Sequence, residues 1–591
     1  MHRFVVCKIA RVACSALLLA TVTFLLSGGL FAQITSGSIS GNVKDSSGAY
    51  VSGATVTVTS GSIGVTRTAT TNESGAFVFP NLPPATYNIA VEAQGFQKIE
   101  TQGIVLSAAA KLGLGDLVLV VGTTTTSVTV TADAGQLQLQ SSSGERSDII
   151  TSKQLNDVAL NGRMVLDYVK LIPGVTSWFD GSAATTWGLG AFSVNGTRPN
   201  QKEFTIDGTS NVDTGYNGGG HVILNPDAVS EMKVLTSNYQ AEFGKAAGGQ
   251  VALTTKSGTS QFHGNGRFFH RHEQFNANNW FANLQGKDDQ GNEISPRPLY
   301  RYNYAGYQFG GPVLIPGTKF NKNRDKMYFF WGQEFYRQLV PVGGISQIRV
   351  PTDLERQGDF SQTFDSNGNQ IVVYDPSTGQ PLPGNRIDRN QLNPSQQQVF
   401  DEISKVMSLY VQPNISGNAG YNYATQLSYN NPVREDILRL DYQINTKNRI
   451  YGRWIHNKND SVLPMETNNL NCMGLLQIPG GCTNTGSAWN LSLNLTTTFT
   501  PTVLNEFSFG PSVERSHIEG TNGNLTVGKN NINLPLLYDV SAGTSIPDIG
   551  FRDPNNFISF PWSYFGANPW HHPLAAGIWR AIRRSHARWG R

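Results

Sequence analysis

Two short runs of this chain contain residue types that could hold a metal ion or bind a cofactor. The run HRHE, His270 to Glu273, lacks the helical spacing of a zinc-protease motif. The run GNG at 264–266 lacks the strand–turn–helix setting of a dinucleotide-binding loop. We find no nucleophile–base pair or metal-ligand constellation elsewhere in the sequence. The sequence therefore predicts no enzyme and no cofactor, and a secreted hydrolase is disfavoured.

The cysteines are few and suggest an oxidising compartment. Cys7 and Cys14 lie close to the N-terminus, which leaves Cys472 and Cys482 in the body of the chain. These two bracket the loop-like stretch MGLLQIPGG and could close it as a disulfide. Half of a metal site is an alternative, but no further His or Cys stands nearby at ligand spacing. We favour the disulfide over two free thiols.

Residues 1–32 have the pattern of a secretory signal peptide. Arg3, Lys8 and Arg11 precede an apolar run from Ala16 to Leu26, and small residues follow. That run is short for a membrane span, so we predict export and cleavage after Ala32, with a single membrane anchor as the alternative. No later segment offers about 18 continuous apolar residues.

Composition narrows the classes of protein further. The chain has 591 residues, 10% aromatic residues and 62 glycines. That aromatic content disfavours a fully disordered protein, and the length predicts several domains. The formal net charge is +3, so no nucleic-acid partner is predicted.

Residues 33–121 alternate apolar and polar residues in short runs separated by turn residues. The runs are GSISGNV, ATVTVTS, VTRTATT, GAFVFPNL, TYNIAVEA and GIVL. Val, Thr, Ile and Tyr at a period of two predict a small antiparallel β-sandwich.

Two groups of residues in this segment resemble the carboxypeptidase regulatory-like domain, which is a transthyretin-like sandwich. They are Gly41, Val43, Asp45, Gly48, Val51, Gly53, Ala54, Val56 and Val58, then Gly75, Phe77, Phe79, Leu82, Tyr87, Ile89, Val91, Gly95 and Phe96. The resemblance implies no peptidase chemistry, because a zinc carboxypeptidase needs His ligands and this segment has no His. By analogy with domains of the same fold, this sandwich could bind a carbohydrate or a partner protein.

A Thr- and Ser-rich linker, residues 122–148, follows the sandwich. Its residues Val128, Thr129, Val130, Thr131 and Ala132 resemble the TonB box of outer-membrane transporters. Such a box is expected to be extended and unattached, so that its backbone adds as a strand to a periplasmic partner. The resemblance implies a TonB-type energy-coupling protein as that partner. A last strand or a spacer of the sandwich is the alternative.

Residues 149–257 contain three blocks that resemble, in order and spacing, the plug of Oar-like TonB-dependent receptors. The blocks are LNGRMVLDYVKLIPGV, FSVNGTRPNQKEFTIDGTSNVD and NPDAVSEMKVLTSNYQAEFGKAAGGQVALTTKSG. The first predicts an amphipathic helix with apolar residues Val165, Leu166, Val169 and Leu171. The last predicts a final strand from Val251 to Thr255, and its glycines are expected to let the backbone pass close to a surrounding wall.

Residues 258–570 show the alternation of a transmembrane β-barrel. Leu438, Leu440, Tyr442 and Ile444 share one face, whereas Arg439, Asp441 and Gln443 share the other. Trp489, Leu491, Leu493, Leu495 and Phe499 repeat the pattern opposite Asn490, Ser492, Asn494 and Thr496. This predicts a polar lumen and an apolar face towards outer-membrane lipid, with His270 in the lumen or at the rim. A soluble sandwich alternates similarly, but the signal peptide and plug favour the barrel.

The combined expectation is an all-β dominated chain with an N-terminal transthyretin-like β-sandwich, an α+β plug and an incomplete transmembrane β-barrel. Plugged transporters use about 22 strands, and residues 571–591 are Arg-rich and helix-compatible. From Gly258 to the end there are 591 − 257 = 334 residues, too few for that many strands with long loops. We therefore expect a C-terminally truncated or frame-shifted copy whose open strand edges aggregate, while residues 33–121 fold alone. A genuinely short barrel is the alternative.

The resemblance implies a TonB-dependent outer-membrane transporter or receptor that imports a bulky or scarce solute, with carbohydrate among the solutes considered. The alternative function is a cell-surface polysaccharide-binding or adhesion protein that uses the sandwich and the barrel loops.

Overall fold

The computed structural model describes most of the chain between residues 36 and 565. The described ranges are 36–108, 110–122, 127–131, 144–177, 192–213, 217–240, 243, 246–287, 291–341, 346–365, 368–375, 378–408, 411–415, 421–425, 428–463, 482–500, 503–520, 544–546, 550–552, 557–559 and 563–565. The predicted signal peptide and the Arg-rich tail lie outside these ranges, so both stay predictions.

The N-terminal domain is a sandwich of two sheets. Its strands are β1 (Gly37–Asp45), β2 (Thr55–Ser60), β3 (Val65–Thr70), β4 (Ala76–Leu82), β5 (Ala85–Glu92), β6 (Lys98–Leu106), β7 (Lys111–Leu119) and β8 (Ser127–Thr131). One sheet has the order β4-β1-β7 and the other the order β3-β2-β5-β6-β8. The predicted antiparallel sandwich is present, with antiparallel pairs β1–β4, β2–β3, β2–β5 and β5–β6. Two pairs differ from that expectation, because β1 pairs with β7 and β6 pairs with β8 in parallel.

The two sheets enclose a core of their own. Ile39, Val56, Tyr87 and Ile89 have no exposed surface, as their position on the inward face of alternating strands requires. The Tyr87 hydroxyl donates a hydrogen bond to the Pro83 carbonyl oxygen at 2.7 Å, so its polar atom is satisfied inside the core. Burying one such side chain stabilises the fold by about 1.5–3 kcal/mol.

The second domain, called the plug below, is built around a five-stranded sheet with the order β13-β12-β15-β14-β9. Its elements are β9 (Arg146–Thr151), α1 (Ser152–Asp157), 3-10 helices Asn161–Arg163 and Val165–Leu171, β10 (Val175–Ser177), β11 (Phe192–Val194), β12 (Glu203–Ile206), β13 (Thr209–Ser210), 3-10 helix Pro226–Ala228, β14 (Val229–Ser237) and β15 (Gln250–Thr255). The predicted final strand is therefore present as β15.

The predicted amphipathic helix is instead a pair of 3-10 helices. Val165, Leu166 and Val169 are buried as expected, but Leu171 is 48% exposed. Gly162 has a positive φ of 76° and Met164 is extended, so the chain bends before an α-helix is established. The tighter 3-10 winding then changes which residues share a face.

The third domain is an antiparallel sheet of long strands in the order β16-β17-β18-β21-β22-β23-β24, with β25 also paired to β23. Its strands are β16 (His263–Arg271), β17 (Arg301–Pro312), β18 (Met327–Pro341), β21 (Ser428–Gln443), β22 (Asn448–Leu463), β23 (Cys482–Thr500), β24 (Val503–Phe509) and β25 (Ser512–Gly520). Within the described ranges this sheet does not close. β19 (Ser346–Ile348) and β20 (Tyr423–Thr425) form a separate two-stranded sheet.

Shorter elements lie between and after these strands. They are 3-10 helix Glu273–Phe275, α2 (Trp280–Leu284), α3 (Asp353–Arg356), 3-10 helices Pro383–Asn385 and Arg389–Gln391, α4 (Pro394–Ser408), β26 (Thr544–Ile546), β27 (Gly550–Arg552), β28 (Phe557–Ser559) and β29 (Ser563–Phe565). In the part of the chain that the structure describes, no helix has the length and apolar content needed to cross a membrane.

The two faces of the long strands are those that the alternation predicts. Arg439 and Asp441 are buried towards the plug, whereas Leu440 and Leu493 are each 38% exposed on the opposite face. A curved sheet with one polar, plug-facing side and one apolar outer side is the geometry of a barrel wall. The eight-stranded sheet of β16 to β18 and β21 to β25 is called the wall below.

We predict that residues 33–121 alone are soluble and unfold cooperatively. In this fragment, Ile89→Ala should lower the free energy of unfolding by about 2–5 kcal/mol, because it leaves a cavity in the closed core. Urea denaturation followed by circular dichroism measures the change. The control is Val78→Ala, which removes a 49% exposed side chain and should change stability by less than about 0.5 kcal/mol. A non-cooperative transition would contradict the autonomy of the sandwich.

Candidate functional site at the contact of plug and wall

The central feature of this contact is a two-residue turn between β12 and β13. Asp207 and Gly208 have positive φ values of 49° and 75°, and Ile206 pairs directly with Thr209. Positive φ at both turn positions is the geometry of a tight hairpin that favours Asp-Gly. The turn holds the Asp207 carboxylate in place at the end of the plug sheet, next to the wall.

Four residues from plug and wall form what we call the Asp207 cluster: Asp207, Thr255, Arg439 and Arg453. Arg439 Nη1 lies 3.2 Å from Asp207 Oδ1, and Arg453 Nε lies 3.0 Å from Oδ2. Thr255 donates its backbone N–H at 2.9 Å and its hydroxyl at 2.8 Å to the same carboxylate. The Arg453 side chain has no exposed surface and that of Asp207 is 1% exposed.

The two guanidinium groups have further partners, so neither charge is left uncompensated. Arg439 pairs with Asp441 at 2.9 Å, and Arg449 pairs with Asp441 at 2.8 Å. Arg453 donates from Nη2 to the Ile206 carbonyl oxygen at 2.9 Å. A buried charge pair of this kind is strongly destabilised when one partner is removed, since the other remains buried without compensation. The Asp207 cluster therefore resists separation of plug and wall.

A second set of ion pairs, the Asp227 cluster, joins plug and wall elsewhere. It consists of Asp227 and Arg163 of the plug with Arg267 and Glu334 of the wall. Asp227 lies 2.5 Å from Arg163 and 2.9 Å from Arg267, and Arg267 Nε donates to Glu334 at 3.0 Å. The Arg163 guanidinium also lies over the Phe269 ring, 3.9 Å from its centroid.

Further hydrogen bonds reinforce the same contact. Glu435 of the wall accepts hydrogen bonds from the Asn225 backbone N–H at 3.1 Å and from its side chain at 2.6 Å. Asn457 accepts the Ile223 N–H at 2.6 Å. The plug backbone is thus bound by wall side chains, and the polar lumen residues that alternation predicts are used mainly to hold the plug.

The sandwich also contacts the plug and the wall. Glu231 of the plug accepts the backbone N–H of Ala108, and Lys111 donates to Gln240 at 3.2 Å. Burial raises the pKa of Glu231, and the hydrogen bond from the Ala108 N–H partly offsets this. Ser36, directly before β1, donates its hydroxyl to Glu506 on β24 of the wall at 3.3 Å.

The glycines before β15 approach the plug itself, not the wall, which corrects one expectation. A Cβ at Gly248 would lie 2.7 Å from the Gln201 carbonyl oxygen, within the plug. The glycine that lies against the wall comes after β15, where a Cβ at Gly258 would lie 2.2 Å from the Phe329 carbonyl oxygen. Gly258 therefore marks the passage from plug to wall.

The box-like residues are not unattached in the structure. Val128 to Thr131 lie in β8, paired with β6 of the sandwich, and Ala132 lies outside the described ranges. Cys482 begins β23 and Cys472 is outside the described ranges, so their disulfide stays a prediction.

His270 lies on the outer side of the wall, next to the end of β16 at Arg271. His270 shares the face of Phe268, with their rings stacked at 6.4 Å, and its Nδ1 lies 2.8 Å from Asn303 Oδ1. It is not a lumen residue, because the plug-facing side chains of β16 are those of odd-numbered residues such as Arg267. No group of three His, Cys, Asp or Glu in the described ranges is arranged to hold a metal ion.

Sequence reasoning missed the Asp207 cluster. The available signal was the Asp-Gly pair in TIDGT, flanked by strand-forming residues, which favours a tight hairpin. The two arginine partners carry no local signal, since they lie on strands more than two hundred residues away.

We predict that Asp207→Asn loosens the plug within the wall. The substitution leaves Arg439 and Arg453 buried with less compensation, so the plug should lose about 3–5 kcal/mol of stability. A cysteine replacing the buried Ala228 reports plug opening through its maleimide labelling across a urea series in detergent. The control Asp460→Asn breaks an exposed pair on β22 and should not shift the labelling midpoint. Equal midpoints for Asp207→Asn and the parent chain would contradict the role of the cluster.

Comparison with known families assigns each domain. The family described as outer membrane beta barrel domain matches residues 254–572, more than half of the chain. The TonB-dependent receptor plug domain matches residues 139–251, and the carboxypeptidase regulatory-like domain matches residues 38–136. The last match includes β8.

Individual relatives are more distant. The chain is 25% identical over 296 residues to the TonB-dependent transporter Oar of Myxococcus xanthus, a match that covers 47% of this chain and 24% of that protein. The outer membrane transporter YddB of Escherichia coli is 10% identical, with a TM-score of 0.35 over 63% of this chain and 39% of that one. The ferric enterobactin receptor PfeA of Pseudomonas aeruginosa, solved in complex with BCV-L6, is 13% identical, with a TM-score of 0.34 over 70% and 44%.

The chain thus spans about a quarter of the length of its curated relative and less than half of these solved structures. Its three matches nevertheless follow the order that the fold displays: sandwich, plug, wall. The chain belongs to the TonB-dependent receptor family of outer-membrane β-barrel proteins, with a carboxypeptidase regulatory-like domain at its N-terminal side.

Proposed function

We propose that this chain serves the import of a bulky or scarce solute across the outer membrane, driven by a TonB-type energy-coupling protein in the periplasm. The observation that carries the proposal is the Asp207 cluster, which holds the plug to the wall through buried ion pairs. A plug held in this way lets solute pass only after local rearrangement.

Work from outside the domain is needed for that rearrangement. Separating one buried partner from the Asp207 cluster is expected to cost about 3–5 kcal/mol. Binding of a solute to the wall alone supplies this only through contacts that differ between the closed and open states. An energy-coupling partner that engages the chain before the plug supplies it mechanically, and Val128 to Ala132 are the candidate segment for that engagement.

The solute is proposed only by class. Plugged transporters take solutes that are too large or too dilute for open channels, and carbohydrate is one such class. The relative Oar is named as a transporter. This name supports a transport function for this chain but identifies no solute.

We predict that Val130→Pro weakens binding of the purified periplasmic domain of TonB by about tenfold or more, because proline removes a backbone donor and disfavours strand addition. The experiment uses the full chain in detergent and biolayer interferometry. The matched control is Ser142→Pro, the same substitution in the linker beyond the box-like segment. Unchanged binding by Val130→Pro would remove the box assignment, and equal losses in both variants would assign the effect to the linker.

A further inference from the structure

The box-like segment occupies a defined place on the sandwich. β8 lies parallel to β6, with Lys98 opposite Ser127, Glu100 opposite Thr129 and Gln102 opposite Thr131. This register fixes Val128 to Thr131 in the extended conformation. These four residues are therefore an ordered strand of the sandwich and not a free tether.

One edge of β8 remains open. β8 is the terminal strand of the order β3-β2-β5-β6-β8, and no strand of the described ranges pairs with its outer edge. An unpaired strand edge offers a row of N–H and C=O groups that a further strand can join. Docking on β6 uses only the inner edge, so the outer edge stays available for strand addition.

We propose that the sandwich presents the box-like segment as a preformed edge strand, to which the energy-coupling partner adds its own strand while β8 stays on β6. The inference rests on the proposed function and deepens it, because it states how the partner is recognised. The alternative, that the sandwich hides the segment, would require β8 to leave β6 before binding. Presentation is favoured because the segment is already ordered, so its conformational entropy is not lost during association.

The sandwich that carries β8 is itself attached to the plug. β6 ends at Leu106, and two residues later the Ala108 N–H donates to the Glu231 carboxylate on β14. β14 pairs with β15, whose last residue, Thr255, belongs to the Asp207 cluster. A partner strand added to β8 would thus extend a hydrogen-bonded path that reaches the wall.

The test is a disulfide that keeps β8 on β6. In the full chain with Cys472 and Cys482 replaced by serine, Glu100→Cys is combined with Thr129→Cys, its register partner. In-register neighbours share a face and lie within disulfide reach. The matched control combines Glu100→Cys with Ser127→Cys, two residues out of register, at a Cα separation of about 8 Å that a disulfide does not span.

Binding of the purified periplasmic domain of TonB is then measured for the oxidised and reduced forms. We expect the matched pair to oxidise, the control pair to stay reduced, and the oxidised form to bind within about threefold of the reduced form or more tightly. If oxidation weakens binding by more than that, the proposal is wrong, and β8 must leave β6 before the partner binds. Oxidation of the control but not of the matched pair would overturn the docking register. Loss of binding in both redox states and in the parent chain would instead contradict the proposed coupling itself.

Discussion

The carboxylate of Asp207 is the point on which the arrangement of plug and wall depends. It accepts four hydrogen bonds or ion pairs, two from Thr255 at the end of the plug sheet and two from arginines on adjacent wall strands. Because the group is almost completely buried, these partners must compensate its charge. The same contact therefore fixes the position of the plug and accounts for the polar residues on the inner face of the wall.

The three domains form one continuous hydrogen-bonded body in the structure. The sandwich contacts the plug through Glu231 and the wall through Glu506, and the plug contacts the wall through both ion-pair clusters. A domain that is classed as accessory is thus in direct contact with the moving part of the proposed transporter. Its function is better described by what it holds in place than by the name of its family.

Much of the fold was predictable because side chains alternate strictly along a strand. The faces of Arg439 and Leu440 follow from that period alone, and the strands of the sandwich follow from β-branched runs between turn residues. What could not be predicted depends on pairing between distant segments. Arg439 and Arg453 lie 232 and 246 residues beyond Asp207, and β7 joins β1 in parallel without any local signal. Leu171 was misplaced because an apolar pattern does not distinguish a 3-10 helix from an α-helix.

The order of strands in the plug sheet makes the plug mechanically unequal at its two ends. Among the strands of the described ranges, β9 is an edge strand that pairs with β14, and it is supported at its start by the 2.7 Å pair of Glu145 and Lys233. β15 lies between β12 and β14 and continues into the Asp207 cluster and Gly258. Arg146, where β9 begins, and Thr255, where β15 ends, lie at opposite ends of these antiparallel strands. A tension between the N-terminal side and the Asp207 cluster would therefore run along the strands and load the hydrogen bonds between β9 and β14 together, so that the edge strand resists as a unit.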